Sequence, residues 1–397
     1  MTKPELLEIF RFESKELAPK VQEWREYLHQ NPEPSFKEYK TMDFISDKLT
    51  EYGIEHQKGI CGTGIVGFIK SPFSTGTIGL RADLDALPIE EKNEVPYKSQ
   101  NTGWMHACGH DVHSSILLGT AIILQKHKEY LKKDIKLIFQ PGEEMNPGGA
   151  SLMMEEGVLE NPLVEAMFAL HVFPELEVGN FGLKSGLYMA SSDEIHIEII
   201  GKGGHGALPN NSINPIFIGS EVLLSLKNYI ELNAPKDIPT VLNFGRFEAM
   251  GSTNVIPERA IIKGTFRTMD SDWREEAFLH LERIANEVAE KHHGRINFQR
   301  SKGYPNLKND ATLTNLLKKQ LTTLVGKQNV VELDYRMTAE DFAFYSSKVP
   351  ICFFRLGVGN KVQGIVNSVH HPNFDVDPRA FEFGLLAMST IPFVYET

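Results

Sequence analysis

The first part of the chain alternates between apolar patterns typical of helices and of strands. Apolar residues at three- and four-residue spacing predict helical structure from about Val21 to Tyr52, interrupted by the stretch Asn31–Pro34. The strands that follow are predicted at Ile65–Ile69, Ile78–Ala82, Ile135–Gln140 and Ala166–His171, and the helices after Asp111 and near Ala150–Glu156. This alternation predicts an α/β domain with a mostly parallel sheet.

The middle of the chain has a different order of elements. A strand, a long helix, two strands, a second helix and a last strand are predicted at Glu194–Ile200, Asn214–Leu232, Val241–Phe247, Ala260–Phe266, Trp273–His292 and Ile296–Tyr304. This β-α-β-β-α-β order is typical of a ferredoxin-like α+β unit. A helix at Ala311–Leu324 and a strand near Ile351–Leu356 then resume the first pattern. We therefore expect an α/β domain formed by residues 1–190 and 305–397, interrupted by an inserted domain of residues 191–304.

Composition and charge exclude several classes of protein. The chain has 397 residues, 41% hydrophobic and 23% charged, which is ordinary for a globular protein and too long for one domain core. A formal net charge of -11 disfavours binding to nucleic acid or to anionic membranes. No apolar run is long enough to span a bilayer. Residues 1–20 predict an amphipathic helix without the apolar stretch of a signal peptide, so we expect a cytoplasmic protein.

The cysteines divide into two kinds. Three cysteines do not describe a disulfide framework, and we expect Cys61 and Cys352 to be buried as small apolar residues. Cys108 differs because residues 104–113 read Trp-Met-His-Ala-Cys-Gly-His-Asp-Val-His. Thiolate, imidazole and carboxylate groups bind zinc or manganese, and Gly109 lets Cys108 and His110 point at one ion. The alternative for this segment is a cysteine at a helix start with exposed histidines.

Further polar candidates lie at the ends of predicted strands. Glu143 and Glu144 follow one strand after a Pro-Gly turn, His171 ends another, and Asp83 and Asp85 follow a third. In open α/β sheets, ligands bind at the carboxyl ends of the strands. One glutamate could ligate a metal while the other acts as general base. A buried aspartate often orients a metal-bound imidazole, and Asp83 is the residue expected to do so, whereas a simple turn cap is the alternative for Asp85.

The remaining candidates lie near the C-terminus and in the inserted domain. His370 and His371 follow the last predicted strand, and one of them could complete a metal site. Glycines flank His205, which frees the backbone and exposes the imidazole. Asn254 and Arg267 could hydrogen-bond an oxyanion or a substrate carboxylate, and a surface ion pair is the equal alternative for Arg267.

Six motifs, in order over nearly the whole chain, are shared with a known family. They are Arg81–Pro88, His106–His113, Gln140–Glu144, Gly201–Gly206, Asn254–Pro257 and His370–Phe374. With these motifs the chain resembles the M20 metallopeptidase superfamily. It is most similar to the amidohydrolase branch, which includes hippurate hydrolase, N-acyl-L-amino acid amidohydrolases and auxin-conjugate hydrolases.

The resemblance implies two divalent metal ions, Mn²⁺ or Zn²⁺, held by five side chains. They are Cys108, His110, Glu144, His171 and a histidine of the last motif. His370, two places before the proline, matches the position that relatives use, and His371 is the alternative.

Other roles are implied in the same way. Glu143 matches the general base, and His205 matches a histidine that in many relatives reaches the active site of the partner subunit. The inserted domain commonly serves in dimerisation. One departure is residues 144–149, Glu-Met-Asn-Pro-Gly-Gly, where many relatives run directly into a glycine stretch.

The activity implied by the resemblance is hydrolysis of N-acyl-L-amino acids, or similar small amides, by a metal-activated water. A metallo-exopeptidase or dipeptidase on the same scaffold is the alternative. A non-catalytic binding module would lack the base or the ligands, and all of them are present. An enzyme with Cys108 as nucleophile conflicts with a metal-bound thiolate. As partners we expect a small-molecule substrate and a homodimer or higher oligomer formed through the inserted domain, with neither nucleic acid nor membrane.

Overall fold

The structure of the protein, a computed structural model, describes residues 3–395. The predicted N-terminal helix and the outer domain range also include residues 1–2 and 396–397, which lie outside the described residues. The chain forms two compact units. The first comprises Met1–Tyr188, Lys308–Asp334 and Asp341–Thr397, and the second comprises Met189–Leu307 and Tyr335–Glu340. The segment at 335–340 joins the second unit because the Ala190 amide donates to the carbonyls of Arg336 and Thr338.

The elements are numbered in chain order. The helices are α1 (Lys3–Gln30), α2 (Tyr39–Glu51), α3 (His110–Lys126), α4 (Gly149–Glu155), α5 (Pro215–Asn233), α6 (Ser271–Lys291), α7 (Ala311–Val325) and α8 (Ala380–Thr390). The strands are β1 (Glu55–Ile60), β2 (Gly64–Ile69), β3 (Thr77–Asp83), β4 (Asp134–Gln140), β5 (Val164–Glu177), β6 (Phe181–Leu183), β7 (Gly186–Met189), β8 (Asp193–Ile200), β9 (Gly204–His205), β10 (Thr240–Glu248), β11 (Val255–Ile256), β12 (Arg259–Thr268), β13 (Arg295–Lys302), β14 (Leu307–Asn309), β15 (Val330–Glu332) and β16 (Ile351–Gly359).

An eight-stranded sheet in the order β1-β2-β4-β3-β5-β16-β6-β15 forms the centre of the first unit. Strands β4, β3, β5 and β16 run parallel, whereas β1, β2 and β6 pair antiparallel with their inner neighbours. The predicted α/β class with a mostly parallel sheet is confirmed. Because parallel strands end at the same edge, this arrangement brings the polar residues that follow β3 and β4 together.

Helix α3 carries the first candidate ligands and is buried on nearly every side. It packs against the sheet and against α1 and α8, so its apolar residues, such as Ile116 and Leu117, belong to the main core. The helices approach closely at Gly119, where a Cβ would lie 2.6 Å from side-chain atoms of both Leu385 and Val21. This packing fixes the position of the N-terminal end of α3.

The second unit is built on a four-stranded antiparallel sheet in the order β10-β12-β8-β13. Helices α5 and α6 pack on this sheet and bury Leu226 and Leu281 against Ile197. The predicted β-α-β-β-α-β order of a ferredoxin-like unit is therefore confirmed. A short pair of strands, β9 and β11, places His205 opposite Val255.

Two details differ from the sequence-based expectations. The strand predicted to end at His171 continues to Glu177, so His171 lies within β5 and not at its end. Cys61 is half-buried and not buried, because it occupies a turn with φ of 50° and its amide donates to the Glu156 carboxylate. Cys352 is fully buried, as expected. Among the described helices, none combines the length and the apolar character needed to cross a membrane.

Candidate active site

Cys108, His110 and His171 form a buried cluster of side chains of the kinds that could hold a metal ion. Their ligand atoms lie within 4.8 Å of one another, and the Sγ of Cys108 is 3.5 Å from Nε2 of His171. Cys108 and His110 stand at the start of α3, on either side of Gly109. That glycine has a φ of 82°, and a Cβ there would lie 2.6 Å from Val172, so the turn requires glycine.

Two of the further clusters that share a member with the first contain Glu144. Cys108, Glu144 and His370 have ligand atoms within 4.8 Å of one another, as do His110, Glu143 and Glu144. Nε2 of His370 lies 3.3 Å from Oε1 of Glu144. Nε2 of His110 lies 4.0 Å from a carboxylate oxygen of each glutamate. The structure thus brings together six residues that the sequence singled out, five as ligands and Glu143 as base.

Asp85, and not Asp83, lies against the imidazole of His110. Asp85 Oδ1 is 3.1 Å from His110 Nδ1, and its Oδ2 accepts hydrogen bonds from Ser35 Oγ and the Glu144 amide. Asp83, which the sequence suggested for this orienting role, instead places Oδ1 2.6 Å from His113 Nδ1. Asp83 remains 3.8 Å from His110 Nε2.

The hydrogen bonds of the imidazoles fix which nitrogens face the clusters. His171 Nδ1 donates to the Val172 carbonyl at 2.8 Å, which leaves its Nε2 lone pair directed at Cys108. His113 uses both nitrogens, because its Nε2 accepts from the Val172 amide at 2.9 Å. Within residues 3–395, Nε2 of His110 is buried without a hydrogen-bond partner. His110 and His171 therefore offer a lone pair to a metal, and His113 does not.

The electrostatics of the site suit a bound cation. Burial, together with the carboxylates of Glu144 and Glu143, raises the pKa of the Cys108 thiol well above its usual value. Burial opposes the charge of His110, yet the neighbouring acids, Asp83 foremost, raise its pKa to about 10. A divalent ion would relieve this excess of acidic groups and deprotonate the thiol. The donor set of thiol, imidazole and carboxylate therefore fits a divalent metal centre.

A fully buried network supports Glu143 and was not found from the sequence. Arg81 donates to Asp83, Gln140 and Asp341 at 2.5, 3.0 and 2.8 Å. The Asp341 amide, in turn, donates to Glu143 Oε1 at 3.4 Å. Asp341 lies 198 residues from Glu143 in the chain, so no local sequence pattern connects the two.

Glu38 is a second supporting residue that the sequence analysis missed. Its Oε1 accepts from the Gly142 amide at 2.9 Å, directly before Glu143. Gly142 has a φ of 62°, and a Cβ there would meet the Phe36 ring at 2.3 Å. Burial and the charge of Asp85 raise the pKa of Glu38 to about 7.

The other predicted site residues, His205, Asn254 and Arg267, belong to the second unit. His205 is exposed, and its Nδ1 accepts from the Ala207 amide at 3.1 Å. The Asn254 carbonyl accepts from the Gly206 amide at 2.8 Å, which places Asn254 beside the His205 turn. Arg267 is half-buried on β12 and donates to the Met337 carbonyl at 3.1 Å.

Comparison with known proteins identifies the family. The family model described as peptidase family M20/M25/M40 matches residues 79–391. The chain is 36% identical to an N-acetyl-L-cysteine deacetylase from Bacillus subtilis over 356 residues, which cover 90% of this chain and 83% of that protein. It is 34% identical to thermostable carboxypeptidase 2 from Saccharolobus solfataricus over 387 residues, which cover 96% of this chain and 97% of that protein.

A solved structure gives the same result. The chain superposes on a dinuclear metal-binding peptidase of the M20 family from Bacillus subtilis with a TM-score of 0.81 and 32% identity. The match covers 95% of this chain and 98% of that one. The chain therefore belongs to peptidase family M20/M25/M40, and within it to the branch of metal-dependent amidohydrolases.

Proposed function

We propose that this protein is a dinuclear metal-dependent amidohydrolase that converts N-acyl-L-amino acids, or similar small amides, to a carboxylic acid and an amino acid. The observation that supports this most is the sharing of Cys108 between two clusters, one with His110 and His171 and one with Glu144 and His370. Cys108 would thus contribute its thiolate to both groups of residues that would hold the ions. The deacetylase similarity favours an N-acyl substrate.

The proposed ligands are Cys108, His110, Glu144, His171 and His370. His370 is preferred to His371 because its Nε2 lies 3.3 Å from Glu144, whereas Nδ1 of His371 accepts from its own loop, at the Asn373 amide. The thiolate favours zinc, and manganese is the alternative.

Glu143 is the proposed proton carrier. Bound divalent metals would act as Lewis acids that polarise the acyl carbonyl and lower the pKa of the attacking water. Glu143, held by the Asp341 amide, accepts a proton from that water as it attacks the acyl carbon. The C–N bond then breaks, and Glu143 returns the proton to the leaving nitrogen. No net proton is gained or lost by the carboxylate.

The residues of the second unit are proposed to bind the substrate. His205 Nδ1 accepts the Ala207 amide proton, so in the neutral ring the proton lies on Nε2, which is then a donor for the oxyanion. Asn254 lies beside His205 and is proposed to bind the same region of the substrate. Arg267 is proposed to pair with the carboxylate of the amino-acid part.

We also propose a homodimer or higher oligomer that forms through the second unit. Helix α5 exposes several large apolar side chains, with Phe217, Leu224 and Leu232 between 68% and 74% exposed. Exposed apolar residues clustered on one helix are typical of a surface that a partner covers. Sedimentation of the wild type and of a Leu224→Glu, Leu232→Glu variant would test this.

The experiment that tests the activity compares amide substrates directly. The metal-free protein is loaded with Zn²⁺ or Mn²⁺ and assayed with acetyl-, benzoyl- and indoleacetyl-amino acids beside a set of dipeptides. We expect the acyl-amino acids to have the higher kcat/KM. Preferential cleavage of dipeptides would favour the second candidate, a metallo-exopeptidase, which the similarity to thermostable carboxypeptidase 2 supports. Full activity after chelation would contradict both.

A further inference from the structure

A buried ion network joins the two chain segments that carry proposed metal ligands. Arg25 of α1 is only 2% exposed. Its Nε donates to Asp111 Oδ2 at 2.7 Å, and its Nη1 donates to Asp375 Oδ1 at 3.2 Å. Asp111 directly follows His110, and Asp375 lies five positions after His370 in the same loop. One guanidinium therefore contacts both ligand-bearing segments.

Asp111 has a second basic neighbour, His29, in addition to Arg25. His29 Nδ1 lies 2.7 Å from Asp111 Oδ2, and His29 Nε2 lies 3.2 Å from Glu91. Burial opposes the charge of Asp111, yet Arg25 and His29 hold its pKa well below the usual range. The first turn of α3 also belongs to the main core. Asp111, which Arg25 contacts, therefore has a fixed position.

At Asp375 the network contacts the loop that also contains His370. Asp375 Oδ2 accepts from Tyr97 at 2.8 Å, and the Arg25 guanidinium lies 4.9 Å from the centre of the Tyr97 ring. The Asp375 side chain is 20% exposed, so this end of the contact reaches the surface. Because a guanidinium presents several fixed donors, Arg25 can bind Asp111 and Asp375 at once and set the distance between them.

His370 is the most exposed of the five proposed ligands, so its position depends on how the loop that follows it is held. Its side chain is 51% exposed and its φ is 65°, outside regular secondary structure. By contrast, Cys108 is buried in the turn before α3, His110 is buried at the first position of α3, and His171 is buried within β5. The His370 amide donates to the Ala107 carbonyl at 2.7 Å, which holds the start of the loop. Its far end is held by the buried ring of Phe374, whose carbonyl accepts from Asn93 Nδ2 at 2.9 Å, and by the contact of Asp375 with Arg25.

We propose that Arg25 is a positioning residue for His370. Through Asp375 it holds residues 370–375 against the start of α3, and it thereby sets the affinity of the cluster of Cys108, Glu144 and His370 for its metal ion. This inference rests on the ligand roles in the proposed function. It assigns to Arg25 an effect on one ion of the two, which a purely structural ion pair would not have.

The test measures zinc binding by the metal-free full-length protein in competition with a chromogenic chelator. The main variant is Asp375→Asn, which leaves the buried pair of Arg25 and Asp111 intact and so endangers folding least. The second is Arg25→Lys, which keeps the charge but cannot span both carboxylates. In each variant we expect one zinc equivalent to bind about 10- to 100-fold more weakly, and the other to be unchanged.

A matched control lies in the second unit. Arg274 is 3% exposed and its Nε donates to Asp193 at 2.6 Å, so Arg274→Lys perturbs a comparable buried ion pair away from the ligands in the chain. We expect it to leave both zinc affinities unchanged. Two variants that bind both equivalents as the wild type does, or that weaken both equally, would overturn the positioning role. A wild type that binds fewer than two zinc ions would instead contradict the proposed function itself.

Discussion

His110 Nδ1 lies 3.1 Å from Asp85 Oδ1, and both side chains are almost completely buried. The other oxygen of Asp85 accepts from the Glu144 amide at 2.9 Å. Because a carboxylate accepts the Nδ1 proton, a metal ion that displaces the second ring proton would find the Nε2 lone pair of His110 directed towards the clusters. Asp85 therefore orients the side chain of one proposed ligand and the backbone of a second.

The first prediction is that Asp85→Asn weakens metal binding. An amide at this position presents its NH₂ group to either His110 Nδ1 or the Glu144 amide, both of which are donors. We expect zinc affinity to fall by about 10- to 100-fold, measured by competition with a chelator. Asp43→Asn, at an exposed position on α2, serves as the control. Unchanged affinity in Asp85→Asn would show that the contact does not orient the ligand.

The second prediction separates catalysis from metal binding. Glu143→Gln keeps the size of the side chain but cannot carry a proton, so we expect kcat to fall by about 10²- to 10⁴-fold. The zinc stoichiometry should remain that of the wild type, because Glu143 is not among the five proposed ligands. Steady-state kinetics and metal analysis of the same preparation measure both quantities. Near-normal turnover would remove Glu143 from the mechanism, and the exposed Glu155→Gln is the control.

The sequence predicted the helices, the strands and the candidate ligands of the site better than it predicted the residues that support those ligands. The spacing of apolar residues predicted α3, β4 and β8, because an element that is buried on one face or on both has apolar residues at regular positions in the sequence. Glu143 and Glu144 were found because a Pro-Gly turn follows a buried strand. His171 was selected because it was expected to end a strand at the same sheet edge as these glutamates. The strand continues to Glu177, yet His171 still lies beside Cys108.

The supporting residues could not be found in this way. Asp341 meets Glu143 across 198 positions, and Arg25 meets Asp375 across 350. Such contacts depend on how α1, the sheet and the C-terminal loop pack, which local patterns do not report. The same limit explains why the orienting role fell to Asp83 in the sequence analysis, whereas Asp85 makes the contact with His110. Two aspartates separated by one residue cannot be distinguished without the fold.

The third prediction concerns the pH dependence of stability. His106 is 1% exposed, and among the described residues neither ring nitrogen has a hydrogen-bond partner. Burial, partly offset by Asp111, lowers the pKa of His106 to about 4, from 6.5 for an ordinary histidine. Between these values the unfolded chain binds more protons than the folded one, so stability rises with pH through this window and is lost on acidification.

The measurement compares His106→Leu with the wild type in urea unfolding of the metal-free protein. Between about pH 7 and about pH 5, the free energy of unfolding of the wild type should fall by about 2 kcal/mol more than that of the variant, because only the wild type contains His106. Leucine has a similar volume and carries no titratable group. If both proteins lose the same free energy of unfolding on acidification, then His106 is not the group responsible.

The last prediction asks whether His205 acts in the partner subunit. His205→Ala and Glu143→Gln alter different units of the chain, and each should be almost inactive alone. If His205 completes the site of the partner, a mixed dimer contains one site with both residues intact. Equal co-expression should then recover about a quarter of the wild-type activity per chain, because half of the dimers are mixed and each has one good site.

Co-expression of Glu143→Gln with Glu144→Gln is the control. Both changes lie in the first unit, so every site stays defective and no recovery is expected. If His205 acts within its own chain, the first pair will also remain inactive, and the partner role will have to be withdrawn.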